Sequence, residues 1–216
     1  MFVEKWMTPN PLTIQPEATI SVVAMEMNRR KFRHFPVVEL TGVAKRLVGI
    51  VSKYDIARGF PHDLNPFSVE VIEDSVPRPV ASVMTKRVIT TTPDCPVEEA
   101  ARMLRSHRIG ALPVLRENRL IGIITESDIF EAFISLTAAK SGGMRIMVES
   151  DASDNPVPAI IHLSQQHRVD ILSMLSFREN RLKGKDISIF RFGGRLPPGF
   201  VPEIAKLGFR IVSVGD

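Results

Sequence analysis

Two short runs carry the residue types best suited to holding a ligand. They are Gly49-Ile50-Val51-Ser52-Lys53-Tyr54-Asp55 and Gly122-Ile123-Ile124-Thr125-Glu126-Ser127-Asp128. Each places a glycine first, a hydroxyl residue three positions on, and an aspartate three positions after that. A carboxylate can accept two hydrogen bonds from ribose hydroxyls. A hydroxyl at a helix N-terminus suits a phosphate, and glycine lets a backbone approach a ligand closely. The same spacing also describes a helix cap, in which the hydroxyl and the carboxylate satisfy orphan N–H groups. Both readings stay open. Beside the hydroxyl, Lys53 in the first run favours phosphate and Glu126 in the second repels it, if both point inward. Arg33, His34, His107 and Arg108 are further candidate phosphate contacts, with an ordinary surface role as the alternative.

Catalytic chemistry has weaker footing. The five histidines are scattered, and His162 and His167 stand five apart, off the i, i+4 spacing that puts two ligands on one helix face. No metal site and no catalytic residue are expected. Cys95 has no distinguishable base partner and reads as an inert thiol at a helix start. Glu98 and Glu99 read as helix-end electrostatics rather than an acid–base pair. Gly193-Gly194 and Gly199 flank prolines in a turn and form no phosphate-binding loop.

The two runs belong to a longer repeat. Shifting the chain by 77 positions sets Met7-Thr8 on Met84-Thr85, Pro16 on Pro93 and Pro36-Val37 on Pro113-Val114; beyond a turn at Thr41-Gly42 the offset is 73. A loop insertion in the first copy accounts for the difference. Each copy starts with a β-prone stretch, Leu12-Thr13-Ile14 or Ile89-Thr90-Thr91. A helix follows, with apolar positions Ile20, Val23, Ala24 and Met27, or Val97, Ala100, Ala101 and Leu104. Pro96 suits the first turn of the second of these helices. Two apolar β-runs without clean alternation come next and predict strands buried on both faces. A second helix begins at Ser52 or Thr125. The order is β-α-β-β-α, and one copy alone holds too little core to stand by itself.

With its Pro-Val strand, Gly-apolar-apolar-Ser/Thr-x-x-Asp run and flanking helices repeated in register, the chain resembles a tandem cystathionine-β-synthase (CBS) domain pair, or Bateman module, over residues 1–135. The resemblance implies two pseudo-symmetric clefts for adenosyl ligands: AMP, ADP, ATP or an S-adenosylmethionine-like molecule. Carried over by position, Asp55 and Asp128 would take ribose, and Ser52 and Thr125 would near the phosphate. One base pocket would be lined near Ile14, Phe35, Pro36 and Ile50, the other near Thr91, Leu112, Pro113 and Ile123. Arg33, His34, Lys53, His107 and Arg108 would complete the phosphate contacts.

Prolines 61, 66, 77 and 79 mark a connector between the copies, and Ser141-Gly142-Gly143 marks a domain boundary. Beyond it, strands are expected at Met144–Val148, Val169–Phe177, Ile187–Phe192 and Phe209–Val214, with helices at Pro156–His167 and Pro202–Leu207. That β-α-β-β-α-β order is the ferredoxin-like pattern. After a regulatory module it resembles an ACT domain, a family that often binds amino acids. The family's Asp-x-Pro-Gly run has here the form Asp154-Asn155-Pro156-Val157, without its glycine. The whole architecture is similar to the acetoin-utilisation accessory protein B group. The expected fold class is therefore α+β, an α/β sandwich. Its parts are CBS repeats at 1–60 and 80–138, a connector at 61–79, a linker at 139–143 and an ACT-like domain at 144–216.

The balance of the 216 residues agrees with an ordinary globular chain: 44% hydrophobic, 24% charged and one cysteine. No apolar run is long enough for a membrane span, and the N-terminal residues lack a secretion-signal core, so the expected setting is the cytoplasm. The net charge of +4 is thinly spread apart from Arg29-Arg30-Lys31 and Arg33. That cluster reads as a solvated helix end or a small-anion site. Nothing favours a nucleic-acid partner. The expected protein is a non-catalytic adenosyl sensor, its expected partners being a second copy of itself and a regulated protein; the alternatives are an amino-acid sensor and a docking scaffold with vestigial clefts.

Overall fold

A computed structural model describes residues 1–41, 44–62, 64–68, 76–151, 153–178 and 184–215. The chain divides into two compact units, Met1–Phe130 and Glu131–Asp216.

In the first unit, the i, i+3, i+4, i+7 pattern of copy one becomes α1 (Ile20–Arg30), with Ile20, Val23, Ala24 and Met27 fully buried. Its N-cap is Thr19, whose side chain accepts from the Val22 N–H. The hairpin β2 (His34–Thr41) and β3 (Ala44–Ser52) follows, then α2 (Lys53–Gly59). Copy two repeats this with α3 (Val97–His107), β4 (Ala111–Arg116), β5 (Arg119–Thr125) and α4 (Glu126–Leu136). Pro96 stands one place earlier than expected, as the N-cap of α3, because its ψ of 140° is extended. Ala111 to Val114 are buried in succession, as their lack of alternation predicted.

Two expectations need correction. The opening β-stretches reduce to single parallel bridges, Ile14 with Val37 and Thr91 with Val114. The four-residue insertion does not lengthen the loop. Instead β2 and β3 have 8 and 9 residues against 6 and 7 in β4 and β5, so the first hairpin is longer in both arms. Its extension is paired from Glu39 with Arg46 to Thr41 with Ala44. The copies also exchange their leading segments. A short β1 (Thr8–Pro9) pairs with β5 of copy two, and Thr85 bridges to Ile50 of copy one. Val3 sits in the core with Ala100, Leu104, Leu112 and Ile124, while Val80 sits with Ile20, Val37 and Ile56.

The same exchange accounts for the glycine that opens each motif. A Cβ on Gly49 would lie 2.5 Å from Met84 Sδ, and one on Gly122 would lie 2.4 Å from Met7 Sδ. A methionine from the other copy's leader, rather than a ligand, occupies the space that a side chain would need. Of the connector, Phe67 and Val76 pack on the first core, and Ser21 Oγ both donates to the Val76 carbonyl and accepts from its N–H. Residues 63 and 69–75 lie outside the described chain.

In the second unit the order is β6 (Met144–Asp151), α5 (Pro156–Gln166), β7 (Ile171–Arg178), β8 (Lys185–Phe192), α6 (Phe200–Lys206) and β9 (Arg210–Gly215). The sheet is antiparallel in the order β7-β8-β6-β9. Ile146, Val148, Phe190 and Phe192 of the sheet meet Ile160, Leu163, Phe200 and Ile204 of the helices in one buried cluster. Asn155 caps α5 by accepting from the Val157 N–H, and Pro156 opens its first turn. Ser141-Gly142-Gly143 is more than a spacer. Gly143 has φ +86°, a Cβ there would lie 2.0 Å from the Phe192 carbonyl oxygen, and buried Arg191 donates to the Gly142 and Gly143 carbonyls.

Candidate functional site

Each motif folds as a capped strand-to-helix turn. Asp55 Oδ2 accepts from the Ser52 N–H at 2.9 Å and from the Ser52 hydroxyl at 2.6 Å, while Ser52 Oγ accepts from the Asp55 N–H at 3.2 Å. In copy two the Thr125 N–H and hydroxyl both reach Asp128 Oδ2 at 2.7 Å. Both hydroxyls are engaged with their own aspartates, as the capping reading has it. These bonds use one oxygen of each carboxylate, and Oδ1 accepts none of them. Capping and ligand binding are thus compatible rather than alternatives.

Two cavities open beside these turns, both within the first unit. The first, of about 540 Å³, is lined by Ile50, Ser52, Lys53 and Asp55 of copy one and by Thr85, Arg87, Ile89 and Arg108 of copy two. The second, of about 340 Å³, is lined by Ile123, Thr125, Ser127 and Asp128 of copy two and by Thr8, Asn10, Leu12 and Lys31 of copy one. Under the repeat's own offsets Thr8 answers Thr85, Leu12 answers Ile89, Lys31 answers Arg108 and Asp128 answers Asp55. The cavities are pseudo-symmetric copies, and each takes its motif from one repeat and its facing wall from the other. Both volumes fall in the range of about 300–1,000 Å³ usual for small-molecule sites.

Arg33 and His34 line both cavities. Their counterparts in copy two are Gly110 and Ala111. A Cβ on Gly110 would lie 2.7 Å from His34 Cε1, so glycine leaves room for the imidazole. Burial holds the His34 pKa below its ordinary value, with the Arg33 charge adding to this and Asp55 and Glu126 opposing it. Arg33 Nη2 donates to Ser127 Oγ at 3.1 Å.

Of the residues proposed from sequence, Ile50, Ser52, Asp55, Lys53 and Arg108 line the first cavity, and Pro36, Ile123, Thr125 and Asp128 the second. Ile14, Phe35, Thr91, Leu112, Pro113 and His107 line neither. Phe35 and Leu112 point into the two cores, where 1% and 0% of their surface is exposed. Glu126 lines neither cavity, whereas Lys53 lines the first and also stands over the Phe67 ring at 4.8 Å. The basic cluster divides by function: Arg29 and Arg30 pair with Glu26, while Lys31 and Arg33 line cavities. Sequence reasoning missed Thr8, Asn10, Thr85 and Arg87, and had Lys31 only within a cluster read as a solvated helix end or a small-anion site. The repeated Met-Thr pair and the alignment of Lys31 with Arg108 were the available signals.

The sequence model of the CBS domain matches residues 3–62 and 80–135, more than half of the chain. The chain belongs to the CBS-domain family. This CBS pair is 30% identical to the Vibrio cholerae protein named AcuB for acetoin utilization, with a TM-score of 0.53 over 65% of this chain and 95% of that one. It is 26% identical to the CBS pair of protein MJ0100, solved with 5′-methylthioadenosine and S-adenosyl-L-methionine, with a TM-score of 0.51 over 62% and 99% of the two chains. CBSX2, solved with AMP, gives 26% identity and a TM-score of 0.50 over 62% and 96%. A homoserine O-acetyltransferase of Methanococcoides burtonii is 36% identical over 124 residues, which are 57% of this chain and 22% of that enzyme. The chain thus spans about a fifth of that enzyme's length. CBS-domain proteins are in general regulatory, and the match to this acetyltransferase covers little more than half of the chain.

Among the described residues, no three His, Cys, Asp or Glu side chains are grouped to hold a metal ion. No described helix is long and apolar enough to cross a membrane.

Proposed function

We propose that the chain is a non-catalytic regulatory sensor that binds an adenosyl ligand in its CBS-pair cavities. AMP, ADP, ATP and S-adenosylmethionine are the ligand candidates. The carrying observation is the pair of symmetry-related cavities, each with a motif aspartate whose Oδ1 is left over from capping. In this reading Asp55 and Asp128 receive ribose hydroxyls, and the apolar walls at Ile50 with Ile89 and at Ile123 with Leu12 hold the base. Arg33, His34, Lys53 and Arg108 lie toward the phosphate end. Ser52 and Thr125 orient the aspartates, and Phe35, Leu112, Ile14, Thr91 and Pro113 support the walls from behind.

The residues after the CBS pair make up an ACT-like domain in the same proposal, with boundaries at 1–60, 61–79, 80–138, 139–143 and 144–216. Support comes from the β-α-β-β-α-β order and the β7-β8-β6-β9 sheet. Occupancy of the cavities is passed on through contacts with a second copy or a regulated protein in the cytoplasm. It acts as a shift between module arrangements, no larger than the ligand's differential affinity for them.

Thermal unfolding of the full chain with AMP, ADP, ATP, S-adenosylmethionine and a set of amino acids tests this, each variant being referred to its own ligand-free value. An adenosyl compound at about 100 Kd adds about 2.7 kcal/mol, and Asp55→Ala with Asp128→Ala abolishes the gain. Stabilisation by amino acids alone, surviving both substitutions, moves the sensing to the ACT-like domain. No stabilisation by any of these ligands leaves a docking scaffold.

A further inference from the structure

The two cavities share a plan but not a charge. Where the second has Asn10, the first has Arg87, and where the second has Lys31, the first has Arg108. Arg87 and Arg108 are both exposed, and neither forms an ion pair with a described residue. Lys53 adds a further cation to the first cavity; its counterpart Glu126 is in neither lining, though its carboxylate acts on His34, which lines both. Arg33 lines both, but its guanidinium is bonded to Ser127 on the wall of the second. The first cavity is also the roomier, at about 540 Å³ against about 340 Å³.

Charge and volume change in the same direction. Each phosphate added to a nucleoside brings more negative charge and more bulk. Guanidinium groups answer the charge with paired, directional hydrogen bonds that an asparagine amide cannot match. We infer that the two cavities sort adenosyl ligands by phosphate content: the Asp55 cavity is selective for nucleoside polyphosphates, with Arg87 and Arg108 as its specificity-determining residues, and the Asp128 cavity takes adenosyl compounds with one phosphate or none. This rests on the adenosyl-sensor reading and adds which ligand class goes where. The sensor would then read two ligand pools at once rather than one pool twice.

Isothermal titration of the full chain with AMP and with ATP, at one fixed ionic strength, tests the assignment. Asp128→Ala leaves the first cavity to be read alone, and Asp55→Ala leaves the second. The Asp128→Ala protein binds ATP about tenfold or more tighter than AMP, as one added charge-assisted contact would give. The Asp55→Ala protein shows no such preference. Adding Arg87→Asn to Asp128→Ala weakens ATP binding more than AMP binding and so removes the preference. In the opposite direction, Asn10→Arg in the Asp55→Ala background creates a preference for ATP, a gain that a poorly folded variant cannot mimic. Equal affinities in Asp128→Ala, a preference for ATP in Asp55→Ala, or an unchanged ratio in Arg87→Asn overturns the inference while leaving the sensor reading in place. Failure of the wild-type chain to bind AMP, ATP or S-adenosylmethionine overturns the sensor reading itself, and the sorting with it.

Discussion

At the residue scale, Asp55 gives one oxygen to a helix cap and keeps the other out of it. Its Oδ2 holds the cap of α2, and Oδ1 faces no competing bond from that cap. Asp55→Ala should therefore lower ligand-free stability by about 0.5–2 kcal/mol through the lost cap, besides abolishing binding in the first cavity. Urea unfolding without ligand checks the first effect and titration the second. His34 gives a pH signature. Its pKa is lowered in the folded state by burial first and Arg33 second. The unfolded chain therefore takes up a proton near the ordinary value of about 6.5 while the folded chain still resists. Stability from this group is present above that pH and is lost as the pH falls from about 6.5 toward the lowered folded value. Urea unfolding at pH 7.5 and 5.5 should show His34→Gln losing less stability on acidification than the parent; an equal loss in both would remove His34 as the cause.

At the element scale, the glycines that open the motifs are set by the leader of the other copy. Gly49→Ala must push Met84 aside and also brings a Cβ within 3.2 Å of the Thr85 carbonyl oxygen. A cost of about 1–3 kcal/mol is expected from overpacking, measurable by denaturant unfolding, with Gly122→Ala against Met7 behaving alike. Gly143→Ala should cost at least about 2 kcal/mol, since it combines a left-handed φ with a backbone clash. The helices were readable in advance because Ile20, Val23, Ala24 and Met27 set a helical period that burial then honours. The cap was equally readable, because Ser52 and Asp55 act over three residues. What the sequence did not disclose was which side of each strand the cavity takes. Phe35 and Pro36 are neighbours in a run without alternation, yet only Pro36 lines a cavity. Nor could local pattern place Arg87 in one cavity with Ser52, because that placement depends on the exchange of leaders between distant parts of the chain.

At the scale of the whole molecule, that exchange makes the two repeats interdependent. Val80 completes the core of copy one and Val3 that of copy two. A fragment covering residues 1–62 lacks Val80 and Met84 and should fail to unfold cooperatively in urea, whereas residues 1–136 should do so. Cooperative folding of the shorter fragment would contradict the shared core. The same interleaving builds each cavity from both copies, so neither site exists without the other repeat. The repeat itself, visible as matched offsets of 77 and 73, is why the pair of sites could be anticipated even though half of their walls could not. The central claim is that these two shared cavities bind adenosyl ligands through their motif aspartates. Its most direct test is titration calorimetry with S-adenosylmethionine and AMP on the full chain, on each single aspartate variant, and on Asp55→Ala/Asp128→Ala together. Saturable binding is expected, reduced by each single substitution and eliminated by the double substitution. Binding that survives the double substitution, or no binding of either ligand to the unaltered chain, would contradict it.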